Sequence, residues 1–251
     1  MAKDLYGSVQ KELADGRTSL GGKYTTIFVG RRGLGAFLKY EVLGLLAGVP
    51  GALGFALRRW LYGALFREVG KGAVFGRHLT VRHPHKIRIG ANTVIDDYAV
   101  LDAKGEANEG LTIGENVYIG RNAILSCKEG SISIGDFSNI SANCTLLSET
   151  EIRLGKYCFL AGNCYLVAGG NHAFSDLGKP IMLQPSVSKG GIRIGDDVWL
   201  GAGTLVLDGV TIGSSSIVGA GSVVTGPLPE YSFARGARML KIQDRRSEPE
   251  P

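Results

Sequence analysis

The chain has 251 residues and is poor in the side chains that usually announce chemistry, with four histidines, four cysteines, three methionines and two tryptophans. The cysteines, at 127, 144, 158 and 164, show no CxxC spacing, which excludes the common zinc-ribbon and thioredoxin-like patterns. There is no zinc finger, no recognition-helix signature and no platform of interleaved basic and aromatic residues, so we expect no nucleic-acid partner. The formal net charge of +5 and the pI near 9 therefore read as a local basic patch and not as a polyanion coat. The opening stretch MAKDLYGSVQKELADGRTSL lacks the apolar core of a signal peptide, and a cytoplasmic chain with reduced thiols is expected. Long apolar runs are also missing. The apolar stretch at residues 42–57 carries no charge but falls short of the roughly 20 residues that a spanning helix needs.

What the chain does have is aliphatic residues and 38 glycines, arranged in a strict rhythm. Ile89, Ile95 and Leu101 are six apart. The same step runs through Ile113, Ile119, Leu125; Ile134, Ile140, Leu146; Leu154, Leu160, Leu166; Ile194, Leu200, Val206; and Ile212, Val218, Val224. A glycine directly follows half of these anchors, as at Gly90, Gly114, Gly201 and Gly219, and the position four after an anchor is small or compact, as at Thr93, Ala99, Ser138 and Ser222. Neither a 3.6-residue helix nor a hairpin fits such spacing. A short strand plus a corner does: three sides close a triangular coil, and coils stack into a solenoid. The glycines are expected to supply unusual corner angles. Cys144, Cys158 and Cys164 fall at the compact position and read as buried fillers.

The rhythm breaks most strongly between Leu166 and Ile194, where GGNHAFSDLGKPIMLQPSVSKG is thrown out as a loop. Long loops on rigid scaffolds are usually functional or disordered. This one carries His172, with Asp176 nearby as a candidate to orient its ring.

Residues 87–242, and above all IGDDVWLGAGTLVLDGVTIGSSSIVGAGSVVT with GNCYLVAGGNH and GKPI, resemble the hexapeptide-repeat acyltransferases, in the branch of the galactoside, maltose and exopolysaccharide O-acetyltransferases. The resemblance implies a mainly β fold, a left-handed parallel β-helix, and direct acyl transfer from a CoA thioester to a hydroxyl or amine without a covalent enzyme intermediate. His172 matches the family's general base, an imidazole that titrates near neutrality; a backbone N–H would stabilise the oxyanion. Asn143 is the candidate to grip the acceptor. The CoA groove maps to Trp199, Gly201, Ala202, Gly219, Ala220 and Thr225, with Arg235, Arg238 and Lys241 for the phosphates. The resemblance further implies a homotrimer with shared sites. Acetyl-CoA is the expected donor and no metal is expected; His78, His83 and His85 read as a solvated basic edge. The expected acceptor is a small-molecule or lipid-linked saccharide. Two alternatives stay open: a longer-chain, acyl-carrier-protein-dependent transferase, and a non-catalytic scaffold.

The organisation that follows has three parts. Residues 1–70 form an N-terminal helical region, with a possible re-entrant membrane hairpin at about 36–68. Residues 71–230 form the β-helix, with a catalytic loop at 167–193. Residues 231–251 form a tail. In the hairpin, Pro50-Gly51 breaks the apolar run, Lys39, Arg58 and Arg59 flank it, and Trp60 and Tyr62 are of the membrane-interface kind. An apolar tip is expected to dip into one leaflet while these cations, joined by Arg67, Lys71, Arg77, Arg82, Lys86 and Arg88, meet lipid phosphates. The chain would then sit peripherally or monotopically on the inner face of the cell membrane.

Overall fold

The computed structural model describes residues 19–31 and 33–236. Three parallel sheets of seven, eight and seven strands form the walls of a solenoid, and consecutive strands of the chain go to successive walls. The register is regular: Ile89 pairs with Ile113, Ile95 with Ile119 and Leu101 with Leu125, each in its own wall. All eighteen aliphatic anchors named above are buried, between 0 and 7% exposed. One inward side chain per wall per coil therefore makes a continuous core in which each coil covers the next. The coils extend further than the aliphatic pattern showed. A first coil is built on Val69, Phe75 and Val81, and a closing partial turn on Leu228 and Ala234. Both keep the step of six, but Phe75 and Ala234 are not Ile, Leu or Val.

The glycines that follow anchors work differently from the expectation. Gly90 and Gly201 do not have left-handed backbone; a Cβ on either would lie 2.4 Å from backbone of the next coil, at Gly114 and Ala220 respectively. Close stacking, not corner angle, excludes a side chain there. The left-handed corners fall to Asn92, Asn116, Asn122, Asn143 and Asn163, and to aromatics such as Tyr98, Phe137 and Tyr157. Asparagine tolerates this region best after glycine. The compact positions are fillers as expected. Burial pushes the thiol of Cys158 up to about 11 and that of Cys127 up to about 12, so both stay protonated.

The N-terminal region holds α1 (Leu20–Tyr24, continued by a wider turn over Thr25–Val29), α2 (Leu34–Ala47) and α3 (Gly51–Leu65). The helix, Pro-Gly turn and helix are present, but the tip is not free. Arg58 is 3% exposed; its Nη1 donates to the carbonyls of Leu46 (3.2 Å) and Val49 (2.8 Å), and its Nε to Phe75 (3.1 Å). The backbone N–H of His78 donates to Ala47. Tyr62, Phe66 and Phe75 pack ring to ring. The hairpin is thus a lid on the open end of the solenoid, and Arg58 is a buried staple, not a headgroup ligand. Several cations expected at lipid also have partners on the coils: Arg82 with Asp102, Lys86 with Gly105 and Asn108, and at the surface Arg77 with Asp97 and Arg88 with Glu68. Among the described residues no helix is long and apolar enough to cross a membrane.

The three walls differ on their outer faces. The first shows Arg88, Thr112, Ser133, Arg153 and Arg193; the third shows Val100, Ile124, Tyr165, Leu205 and Val223. The second is aromatic, with Tyr118, Phe159, Trp199, Ile217 and Phe233 outward.

Candidate functional site

The excursion leaves the third wall after Tyr165–Ala168 and returns at Ile192–Ile194. Two carboxylates hold its neck, one on the coil before it and one on the coil after. Glu149 accepts from the N–H of Gly170 at 2.9 Å. Asp208, 6% exposed, accepts from the N–H groups of Lys189 and Gly191 and from the side chain of Asn171. A short antiparallel arm, Asn171–His172 against Ser186–Val187, then projects from that neck.

His172 is exposed on this arm. Its Nδ1 lies 3.1 Å from the backbone carbonyl of Gln184. A carbonyl only accepts, so Nδ1 carries the proton and, in the neutral ring, Nε2 is left with the lone pair. Gln184 is 3% exposed, and its side chain ties the loop together: Oε1 accepts from the N–H of Asp176, while Nε2 donates to the carbonyls of Asp176 (2.8 Å) and Lys179 (3.1 Å). The carboxylate of Asp176 faces elsewhere, accepting from the N–H of Gly178 and pairing with Lys179 at 3.3 Å. A main-chain carbonyl thus meets the ring where Asp176 was the candidate. Gln184, Asp208 and Glu149 were all missed from sequence.

The other candidates divide between the two ends of the third wall. Thr225 is on the corner of His172, two coils further on. Asn143, Gly201, Ala202, Gly219 and Ala220 lie on the opposite corner, about 13 Å away across a four-residue strand such as Thr145–Ser148. Asn143 is exposed there and accepts from the side chain of Asn122 at 3.2 Å. Gly201, Gly219 and Arg235 stack one above another, and Arg235 lies over the Phe233 ring at 5.9 Å. Trp199 stacks with Phe159 on the adjoining second wall. Arg238 and Lys241 lie outside the described residues. One chain therefore carries an exposed imidazole at one corner and a strip of small residues ending in an arginine at the other. A concavity of about 400 Å³ is at neither corner; Phe55, Arg77 and Asp97 are among the residues that line it, beside the hairpin.

The three N-terminal histidines do not converge. His78 stacks on Tyr98, the buried His83 lies 3.8 Å from Asp102, and burial together with Arg31 lowers His85 to about 4. Among the described residues no group of three or more His, Cys, Asp or Glu side chains is placed to hold a metal ion.

A parallel solenoid of hexapeptide coils with one loop-borne histidine defines a class of protein, and comparison with known sequences agrees. Residues 191–226 match the family described as bacterial transferase hexapeptide (six repeats), and residues 110–148 match the hexapeptide repeat of succinyl-transferase. Over these two stretches the chain is similar to the hexapeptide-repeat transferases. It is 32% identical over 135 residues to the galactoside O-acetyltransferase of Lactococcus lactis, covering 53% of this chain and 63% of that protein. It is 30% identical over 133 residues to the enzyme of the same name from Escherichia coli, with the same coverage of each. To a probable acetyltransferase of Mycobacterium tuberculosis it is 33% identical, over 54% of this chain and 44% of that one. The chain thus spans roughly half to just under two thirds of the curated relatives it matches. The crystal structure of AntD, an N-acyltransferase from Bacillus cereus in complex with dTDP and 3-hydroxybutyryl-CoA, superposes with a TM-score of 0.50 at 24% identity, covering 76% of this chain and 91% of that one, which shows the shared fold.

Proposed function

We propose that the chain moves an acetyl group from acetyl-CoA to a hydroxyl of a saccharide, with Nε2 of His172 as general base. The observation that carries this reading is the Gln184 carbonyl on Nδ1, which leaves Nε2 as the basic nitrogen on a braced arm. In the reaction Nε2 takes the hydroxyl proton as the oxygen attacks the thioester carbonyl carbon. The C–S bond then breaks, and the proton passes to the departing CoA thiolate. The likeness to galactoside O-acetyltransferases supports both the acetyl donor and the saccharide acceptor. For the donor, the small exposed Ala202 and Ala220 leave room for an extended chain along that corner, with Trp199 beside them and Arg235 at the end as a partner for phosphate.

Base and strip lie at opposite corners of one wall, so a complete site needs a second chain. The apolar outer face of the third wall and the exposed Leu177, Ile181, Met182 and Val187 of the excursion support burial between copies. The family resemblance supports a cyclic trimer as that assembly. Acetyl-CoA is a cytoplasmic donor, which places the reaction on the cytoplasmic side.

The test is thiol release from acetyl-CoA by the purified chain across a saccharide panel, with sedimentation equilibrium for the assembly. Turnover that depends on His172 in a three-chain particle is expected. Turnover only with acyl-carrier protein would replace the donor, and a His172→Ala variant with full activity would remove the base.

A further inference from the structure

We propose that the outer face of the hairpin lies flat on an anionic phospholipid bilayer, so that the solenoid stands on the membrane by its N-terminal end. This inference is independent of the transfer reaction.

The two sides of the hairpin differ. At 3.6 residues per turn, Leu34, Leu38 and Leu45 fall opposite the buried Leu43 and Ala47 of α2, and Trp60 falls opposite the buried Gly54, Arg58 and Tyr62 of α3. These outward residues are not small or sparse. Leu34 is 73% exposed, Leu45 76%, Leu53 67% and Trp60 81%. The inner face is already satisfied by the first coil, so the outer one is apolar without a partner among the described residues. α1 covers only one flank of α2, through Tyr24 packed on Phe37 and Tyr40.

Charge selects the occupant. Among the described residues from 31 to 67 the exposed charged side chains are Arg31, Lys39, Arg59 and Arg67, all cationic, with Lys39 also donating to the carbonyl of Ala64 at 3.3 Å. The one acidic residue in that span, Glu41, is taken up by the hydroxyl of Tyr24 at 2.6 Å. A second copy facing this surface would set the same cations against themselves. An anionic lipid surface accepts leucines and an indole at the headgroup boundary and cations at the phosphates, in the manner of an in-plane amphipathic helix. Because Arg58 pins the tip to the first coil, the hairpin lies on the bilayer and does not dip into it.

The geometry has a consequence that rests on the proposed transfer reaction. The excursion leaves the fifth coil, four strand spacings above the first. With one helix layer beneath, His172 stands about 30 Å above the lipid surface. A lipid-linked acceptor would therefore present a hydroxyl of an outer sugar and not one at the phosphate linkage.

The test is flotation of the purified full chain with vesicles of equimolar phosphatidylglycerol and phosphatidylcholine, and with vesicles of phosphatidylcholine alone. Co-flotation with the first is expected, weakened about tenfold or more by Lys39→Glu with Arg59→Glu and by Leu45→Ser with Trp60→Ser. Far-UV melting checks that the variants keep their fold. In a Trp199→Phe background the only remaining indole is Trp60, and brominated lipid should quench it. A wild-type chain that does not float, or an unquenched Trp60, overturns the proposal. So does a concentration-dependent association of copies that Trp60→Ser abolishes without any vesicle binding. None of these readouts depends on acetyl transfer.

Discussion

The stacked coils and the excursion between them are held by opposite means. In the coils each inward aliphatic side chain is covered by the coil above and below, and every strand has parallel neighbours. Loss of one contact is shared among identical ones. The excursion has exposed side chains and rests on a few polar groups: Glu149 and Asp208 at the neck and Gln184 within the arm. Removal of one of these leaves specific N–H or carbonyl groups without a partner. The difference separates stability, which resides in the coils, from the proposed chemistry, which would be carried on an appendage the coils do not need.

The largest expected effect tests that separation directly. His172→Ala should lower turnover about 10²–10⁴-fold while the melting temperature stays within a degree or so of wild type, because the ring is exposed and packs nothing. Steady-state thiol release and calorimetry check the two halves, and a large fall in melting temperature would break the comparison. The converse is Leu160→Ala, at a fully buried anchor in the middle of the stack. It should cost about 2–5 kcal/mol in chemical denaturation and leave the turnover of the folded fraction nearly unchanged.

The coils were legible in the sequence because one side chain per wall does the same task eighteen times over, and a repeated physical demand leaves a repeated residue type. Reading stopped where the demand was met by another type, as at Phe75 in the first coil and Ala234 in the last turn. The reason for the glycines was not legible. A residue excluded by a neighbouring backbone and one needed for a left-handed corner look alike in a single chain. His172 stood out because the rhythm fails around it. Its orienting partner did not, since every residue has a main-chain carbonyl and only folding decides which one meets the ring. Asp208 gave a faint signal as an acidic residue just past an aliphatic strand, and its partners Lys189 and Gly191 lie some twenty residues back.

The braces of the excursion give the next effect in size. Gln184→Ala strands the carbonyls of Asp176 and Lys179 and loosens the segment whose backbone holds Nδ1 of His172. A fall in kcat of about tenfold is expected with little change in KM for the donor, and Gln184→Glu should restore it only in part, since a carboxylate cannot donate to two carbonyls. Equal losses in kcat and in overall stability would show that Gln184 belongs energetically to the coils.

The smallest effect separates the two ends of the molecule by pH. His85 lies at the first coil, where burial, with Arg31 close by, lowers its pKa from about 6.5 to about 4. The unfolded chain takes up this proton as pH falls through about 6.5, and the folded chain does so only near 4. The unfolded state thus binds more protons across that window, and folding stability declines from pH 6.5 to 4. His85 is only partly buried, so solvent screening reduces the loss to a fraction of what a fully buried ring would show. Asp97 and Asp136, which backbone N–H groups hold below the usual carboxylate range, lose their contribution only at more acidic pH. Hydrogen exchange at pH 4.5 should therefore show faster opening of α1 and the first coil, with protection in the fourth and fifth coils unchanged. His85→Gln should abolish the acceleration. A uniform loss along the stack would mean that the N-terminal end is not a separately titrating unit.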